Sequence, residues 1–289
     1  MRDFLHTILK DYEVSKESFW HADAFTSFWH YFYFGLIAVC IIVSAIILNK
    51  QSDKVKKKVL DILPFIVIGL YISDLFLRPI AQLEGDFQQS IGGYLDKLPF
   101  HICTAMGVVC VFAQHSKKLS FIKGPFVILS IVGPLMYIVA PIGVFGDRFA
   151  LCYNTLQTIA FHGVLMAWGV LSITTGQVKV TIKNWYKTLA LQGVLFFWAL
   201  FGNIIFSDMT NAQTWVDSGY DWFFLKSGAF YIACGELWYA IIAPIGVFCA
   251  IYLVAIGVYG CAHLGYFIAG KCKKNKVVAE EKVEETALV

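Results

Sequence analysis

The sequence predicts an all-α membrane protein, a bundle of seven transmembrane helices with its N-terminus outside and its C-terminus in the cytoplasm. Seven separate apolar runs approach the length of about 20 residues that crosses a bilayer. Charged residues make up only 15% of the chain and hydrophobic residues 58%, whereas soluble domains carry about 25% charged residues. In water such a chain would expose a large apolar surface, so a soluble fold is excluded.

Each predicted span is a nearly continuous apolar run, and polar or charged links separate the spans. In chain order the spans are Phe28–Leu48, Leu60–Leu77, Leu98–His115, Phe121–Ala140, Cys152–Thr174, Trp185–Phe206 and Glu236–Gly260. Residues 28–267 therefore form the predicted transmembrane domain.

Segments of different composition flank this domain. Residues 1–27 predict an outer N-terminal segment, and their apolar side chains recur at helical spacing, which favours a short interfacial helix. Those side chains are Phe4, Leu5, Ile8, Leu9 and Tyr12. Residues 268–289 are charged and poor in aromatic residues, which predicts a disordered cytoplasmic tail.

The orientation follows from the distribution of basic residues between alternate links. The links and the C-terminal tail on one side together carry 16 lysines, and the segments on the other side carry seven lysines and arginines. Because cytoplasmic loops of membrane proteins are enriched in these residues, the side with 16 is predicted to face the cytoplasm.

The composition also limits the kinds of partner. The net charge of +3 is small and the lysines lie in short clusters between apolar runs, so no nucleic-acid partner is predicted. The eight cysteines form no CxxC pair, and no phosphate-binding glycine loop or dinucleotide fingerprint occurs. We therefore expect membrane lipids as partners and no metal or cofactor, with the oligomeric state left open.

Polar and ionisable side chains within the predicted spans cluster at one depth. An unpaired polar group in hydrocarbon costs several kcal/mol, so such residues are candidates for function. In the outer halves of the spans lie Asp74, Arg78, His101, Cys103, Asn154, Gln157, His162, Asn203 and Glu236. Only Gln192 falls in the inner half. The five helices that carry the outer group are predicted to surround one cavity that opens outward.

Helical spacing leaves two interpretations open for parts of this group. Asp74 and Arg78 are four residues apart in the favourable order for an ion pair, which fits either a structural pair at the membrane boundary or a substrate-facing pair. The aromatic loop at 207–235 is interpreted mainly as an interfacial belt, with a lid over a lipid-binding mouth as the alternative.

Cys103 and His162 are the candidates for catalysis. Helical rise places them about 8 Å and about 15 Å below the outer ends of their spans, so side-chain reach permits a contact. A thiol beside an imidazole can attack an ester carbonyl and hold the acyl group as a thioester. Alone, each residue fits a packing thiol or a hydrogen-bonded imidazole. A metal site formed by His101, Cys103 and His162 is disfavoured, because His101 and Cys103 are two residues apart and point in nearly opposite directions on a helix. The amides available to stabilise an oxyanion are those of Asn154, Gln157 and Asn203.

Around these residues the chain resembles a known family of membrane proteins. Leu98-Pro-Phe-His-Ile-Cys103 resembles the LPxHxC signature of YwaF-like bacterial membrane proteins, which is shared with the animal transmembrane protein 164 acyltransferases. Gln157 followed by His162-Gly163 is similar to the second signature of the family, and Gly133 to Pro141 fits the helix between them. The resemblance covers roughly residues 60–260 and implies a seven-helix bundle.

The resemblance also implies a reaction. Animal members transfer an acyl group from phospholipid to a lyso-ether phospholipid through a cysteine and a histidine, roles that match Cys103 and His162. One departure is Cys234-Gly-Glu-Leu-Trp238, which replaces the family's aromatic-proline pattern before the last span. We expect a lipid acyltransferase of the bacterial cytoplasmic membrane. Substrate-orienting roles are expected for Asp74, Arg78 and His101 as well as the three amides. The alternative is a non-catalytic transporter or ligand-binding receptor.

Overall fold

The computed structural model describes residues 28–81, 98–139, 153–206 and 245–271. Within these ranges the chain forms seven α-helices, one short 3-10 helix and no strand, which confirms the predicted all-α class. The outer N-terminal segment, the tail beyond Lys271 and the aromatic loop lie outside the described residues.

Each predicted span overlaps one helix. The helices are α1 (Phe28–Asn49), α2 (Asp53–Ala81), α3 (Ile102–His115), α4 (Lys123–Val139), α5 (Tyr153–Thr174), α6 (Ile182–Ile205) and α7 (Ile245–Lys271), with the 3-10 helix Lys117–Ile122 before α4. All but α3 are long and apolar enough to cross a membrane, α4 together with the 3-10 helix before it. The chain is therefore an integral membrane protein with six long apolar helices among its described residues.

The third helix is short because its predicted span begins with a turn. The Phe100 amide donates to the Leu98 carbonyl at 2.7 Å, and His101 caps the helix with extended backbone angles (φ −83°, ψ 153°). Proline has no amide hydrogen and holds the preceding residue extended, so Pro99 favours this turn over an earlier helix start. The 14 residues of α3 span about 21 Å.

The second helix begins about two turns before its predicted span. Its first turns contain the lysine-rich segment after Asp53, and lysine is a good helix former. Two ion pairs along the helix add support: Lys56 with Asp53 at 3.1 Å and Lys57 with Asp61 at 2.6 Å. An aspartate in the first turn also interacts favourably with the helix dipole.

Helices α4 and α5 form the centre of the bundle. The α5 helix packs against α1, α2 and α4, while α3 lies against α2 and α4, and α6 packs on α4. The helix α7 joins through α6, where the Gln192 amide donates to the Phe248 carbonyl at 2.8 Å. Trp168, Leu165 and Leu129 are fully buried in the core between these helices.

Three described links lie at one end of the bundle, which we call the lysine-rich end. The His115 ring contacts the Asp61 carbonyl at 3.1 Å and joins the α3–α4 link to the start of α2. The Lys187 ammonium donates to the Phe121 carbonyl at 2.7 Å and joins the same link to α6. The end of the bundle where α3 and α5 begin is the opposite end, and it carries the predicted cavity residues.

Candidate functional site

Packing against α6 fixes the start of α3. The Phe100 ring stacks on Trp198 with ring centroids 4.8 Å apart, and it lies against Gly202, where a Cβ atom would meet the ring at 2.6 Å. The Trp198 indole donates to the Pro99 carbonyl at 2.9 Å. These contacts set the position and rotation of the helix that carries Cys103, three residues further on.

The Cys103 thiol lies against α4. Its Sγ atom is 2.8 Å from the position that a Cβ atom on Gly133 would occupy, so only glycine allows this approach. The side chain is half-buried. The sulfur therefore sits in the contact between α3 and α4.

Two contacts orient the His162 imidazole. Its Nδ1 atom is 2.8 Å from the Thr158 carbonyl, and because a carbonyl oxygen only accepts hydrogen bonds, the neutral ring carries its proton on Nδ1. The Nε2 lone pair is then the basic position. The ring stacks on Tyr137 with centroids 4.3 Å apart and an interplanar angle of 8°.

The thiol and the imidazole meet the same face of α4. Gly133, which contacts Cys103, and Tyr137, which stacks on His162, are four residues apart and therefore neighbours on one helix face. The rise between them is about 6 Å, and helical side chains lean toward the N-terminus, which brings the Tyr137 ring toward Gly133. Within the described residues no hydrogen bond joins Cys103 to His162, and the two groups are neighbours over one face of α4.

A close approach of α3 to α5 supports this arrangement. A Cβ atom on Gly107 would lie 2.8 Å from the Phe161 ring, and Phe161 packs edge-on against His162. The missing side chain of Gly107, on the same face of α3 as Cys103, thus admits the neighbouring helix α5. Cys110, one turn further along, is buried and donates to the Gly107 carbonyl at 3.3 Å.

The helix α2 brings polar groups to the same end of the bundle. The Gln157 amide donates to the Leu70 carbonyl at 3.1 Å, and the Tyr71 ring lies 6.4 Å from the Phe161 ring. Asp74 is only 5% exposed and close enough to the Tyr71 hydroxyl to interact with it electrostatically. Gln157 and Asp74 are thus held in the same α2–α5 contact region.

The other predicted site residues lie at the same end, with less of their surroundings described. His101 is half-buried at the start of α3, and its side chain makes no capping hydrogen bond. Asn203 is fully buried near the end of α6, next to Gly202. Arg78 and Asn154 belong to α2 and α5, but their side chains, like the whole of Glu236, lie outside the described residues.

The expectation that Gln192 is the only polar group of the inner half is wrong. At the lysine-rich end the Gln114 amide donates to the Asp61 carboxylate at 2.7 Å, and the fully buried Trp168 indole donates to the Gln114 oxygen at 3.2 Å. The sequence signal was present, since Asp61 is an acidic residue inside the second apolar run and Gln114 precedes the last residue of the third. Gln192 itself is fully buried.

The comparisons with known proteins bear on this arrangement. No curated protein and no solved structure matches the chain significantly. A family model, that of the TMEM164 family, matches residues 18–257, a range that includes α1 to α6, Cys103, His162 and every other residue predicted for the site. Because the match covers most of the 289 residues, the chain belongs to the TMEM164 family.

Proposed function

We propose that the chain is an integral-membrane lipid acyltransferase in which Cys103 is the nucleophile and His162 the general base. The observation that carries the proposal is the placement of the thiol and the imidazole over one face of α4, about one helical turn apart. Family membership supports it, and so does the imidazole tautomer, in which Nε2 is the basic nitrogen of the ring.

The reaction is a double displacement. Nε2 of His162 takes the thiol proton, the Cys103 sulfur forms a C–S bond with the ester carbonyl of a phospholipid, and the C–O bond breaks. The leaving alkoxide takes the proton from the imidazolium and departs as a lysolipid. The hydroxyl of an acceptor lysolipid then gives its proton to His162 and attacks the thioester. A C–O bond forms, the C–S bond breaks, and the sulfur recovers the proton.

The surrounding polar groups supply the remaining functions. Negative charge on the carbonyl oxygen of the tetrahedral intermediate needs hydrogen-bond donors, and the amides of Gln157, Asn203 and Asn154 are the proposed donors. Cys103 lies among apolar helices, so ester substrates enter from the bilayer and not from water. We propose orienting roles for Asp74, Arg78 and His101 at the lipid headgroup.

An acyl-exchange assay with purified protein in lipid tests the proposal. The wild type is expected to transfer an acyl chain from phospholipid to a lysophospholipid, and Cys103→Ala and His162→Ala are expected to abolish the transfer. Cys110→Ala is the matched control, because it removes another thiol of α3 that faces the Gly107 carbonyl and not α4. Normal exchange by Cys103→Ala would end the proposal.

A second candidate is a carrier or receptor whose cavity binds a ligand without reacting. The burial of Asp74 beside Tyr71 favours it, because a buried carboxylate in a membrane is a strong ligand-binding group. Liposome flux or ligand binding that survives Cys103→Ser but not Asp74→Asn would select this function over the acyltransferase.

A further inference from the structure

A groove runs along α2 at the lysine-rich end, far from Cys103. It is shallow and largely open, with a volume of about 400 Å³, and all of its lining residues belong to α2. Its lining residues recur at intervals of three and four and form one stripe of the helix. They are Lys54, Lys57, Lys58, Asp61, Ile62 and Phe65.

The part of the groove nearer the start of α2 carries an excess of positive charge. The Lys57 ammonium pairs with the Asp61 carboxylate at 2.6 Å, and Lys123 of α4 interacts electrostatically with both. Lys54 and Lys58 make no ion pair within the described part of the chain. Four lysines against one carboxylate leave three positive charges, so the groove favours an anion.

The part of the groove further along α2 is apolar and open. The side chains of Ile62 and Phe65 are 46% and 55% exposed on a helix that is long and apolar enough to cross the membrane. The His115 ring packs on Phe65 with centroids 4.9 Å apart and contacts the Asp61 carbonyl, which fixes this wall. From Lys58 to Phe65 the helix descends about 10 Å, the distance from a headgroup to the first part of an acyl chain.

We propose that this groove is a binding site for an anionic phospholipid, with the phosphate held by Lys54, Lys57 and Lys58 and an acyl chain lying along Ile62 and Phe65. Basic side chains at the membrane surface attract anionic lipids at about 1 kcal/mol each. The charge complementarity and the apolar continuation select a lipid over a soluble anion. The site is separate from the proposed acyl-transfer centre and independent of its chemistry.

Native mass spectrometry of the full chain in detergent, titrated with phosphatidylglycerol or phosphatidylcholine, tests this site. The wild type is expected to bind phosphatidylglycerol more tightly than phosphatidylcholine. In the double variant Lys54→Gln/Lys58→Gln the affinity for phosphatidylglycerol is expected to fall about 10- to 30-fold. The matched control, Lys179→Gln/Lys183→Gln, removes the same charge from exposed positions in the α5–α6 link and the first turn of α6 and is expected to bind as the wild type does.

Two outcomes would overturn the proposal. One is equal binding of phosphatidylglycerol by the wild type and the Lys54→Gln/Lys58→Gln variant. The other is full displacement of phosphatidylglycerol by millimolar inorganic phosphate, which would assign the lysines to a soluble anion. A loss of binding in Phe65→Ser with the lysines intact would support the lipid, because a soluble phosphate makes no use of this ring.

Discussion

Gly133 is the residue against which the Cys103 sulfur packs, and its missing side chain makes the approach of α3 to α4 possible. In Gly133→Ala the new methyl group would lie 2.8 Å from Cys103 Sγ and 3.1 Å from Ile102 Cγ2. We expect a destabilisation of about 1–3 kcal/mol from overpacking and a large loss of acyl transfer, because the sulfur must move. Thermal unfolding and the exchange assay measure the two effects.

Gly193→Ala is the matched control for this substitution. It lies in α6, and nothing stands within 4 Å of the added methyl group, so it is expected to raise stability by up to about 1 kcal/mol through helix propensity without changing transfer. Equal activity of the Gly133→Ala variant and the wild type would contradict the assigned position of the sulfur.

At the residue scale, the sequence identified the reactive candidates but not their neighbours. Residue type and depth singled out Cys103 and His162. Contact through Gly133 and Tyr137 depends on the rotation of three helices about their axes, which long-range packing decides and local sequence patterns do not. For this reason the sequence permitted a thiol–imidazole contact but did not indicate that both groups pack against α4.

At the scale of secondary-structure elements, the start of α3 depends on its anchor against α6. Phe100→Ala removes the ring that stacks on Trp198 and fills the space beside Gly202. We expect a loss of stability on the order of 3 kcal/mol and a loss of transfer, because Cys103 is no longer held in register. Phe197→Ala, at a position of α6 that is 68% exposed, is expected to change stability by less than about 0.5 kcal/mol. A Phe100→Ala variant as stable as Phe197→Ala would refute the anchor.

Polar contacts also join the helices α2, α3 and α5. Gln114→Leu removes the donor to Asp61 and leaves the buried Trp168 indole without its acceptor, which is expected to cost about 1–3 kcal/mol. In a Trp168→Phe background the same change should cost about 1 kcal/mol less, because no indole is left unpaired. Thermal unfolding of the four proteins measures the coupling, and strictly additive effects would show that the two groups do not interact.

The predicted span boundaries match the helix boundaries where the apolar run and the helix-forming residues coincide. The first span and α1 nearly agree, since the apolar run itself makes the helix. The α2 helix begins earlier than its span because Lys54 and its neighbours are polar helix formers that lengthen the helix without lengthening the apolar run. The Asp61–Gln114 contact was missed because it joins two helices across a long sequence separation.

At the scale of the whole molecule, the three links at the lysine-rich end give a prediction about orientation. In a variant lacking native cysteines, Gln51→Cys and Gln177→Cys are expected to react with a membrane-impermeant thiol reagent only from the cytoplasmic side, as the excess of lysine there predicts. Leu98→Cys, at the opposite end, is expected to react from outside. Labelling of Gln51→Cys and Gln177→Cys from different sides would contradict the arrangement of the helices.

The two ends of the bundle differ in the chemistry of their side chains. One end concentrates positive charge around Asp61, and the other gathers a thiol, an imidazole and buried amides among apolar helices. Hydropathy and lysine counts predicted this polarity, because both are properties of local composition. The number of helices that cross the bilayer, six or seven, depends on α3. Its 14 residues are fewer than the roughly 20 residues of a full span.

The most direct test is to trap the acyl-enzyme. Purified protein incubated with phospholipid in the absence of an acceptor is digested and its peptides are measured by mass spectrometry. The proposed mechanism predicts an acyl group on Cys103 that hydroxylamine and added lysophospholipid both remove, and no such adduct in His162→Ala. An unmodified Cys103 in protein that transfers acyl chains, or an adduct on another cysteine alone, would contradict it.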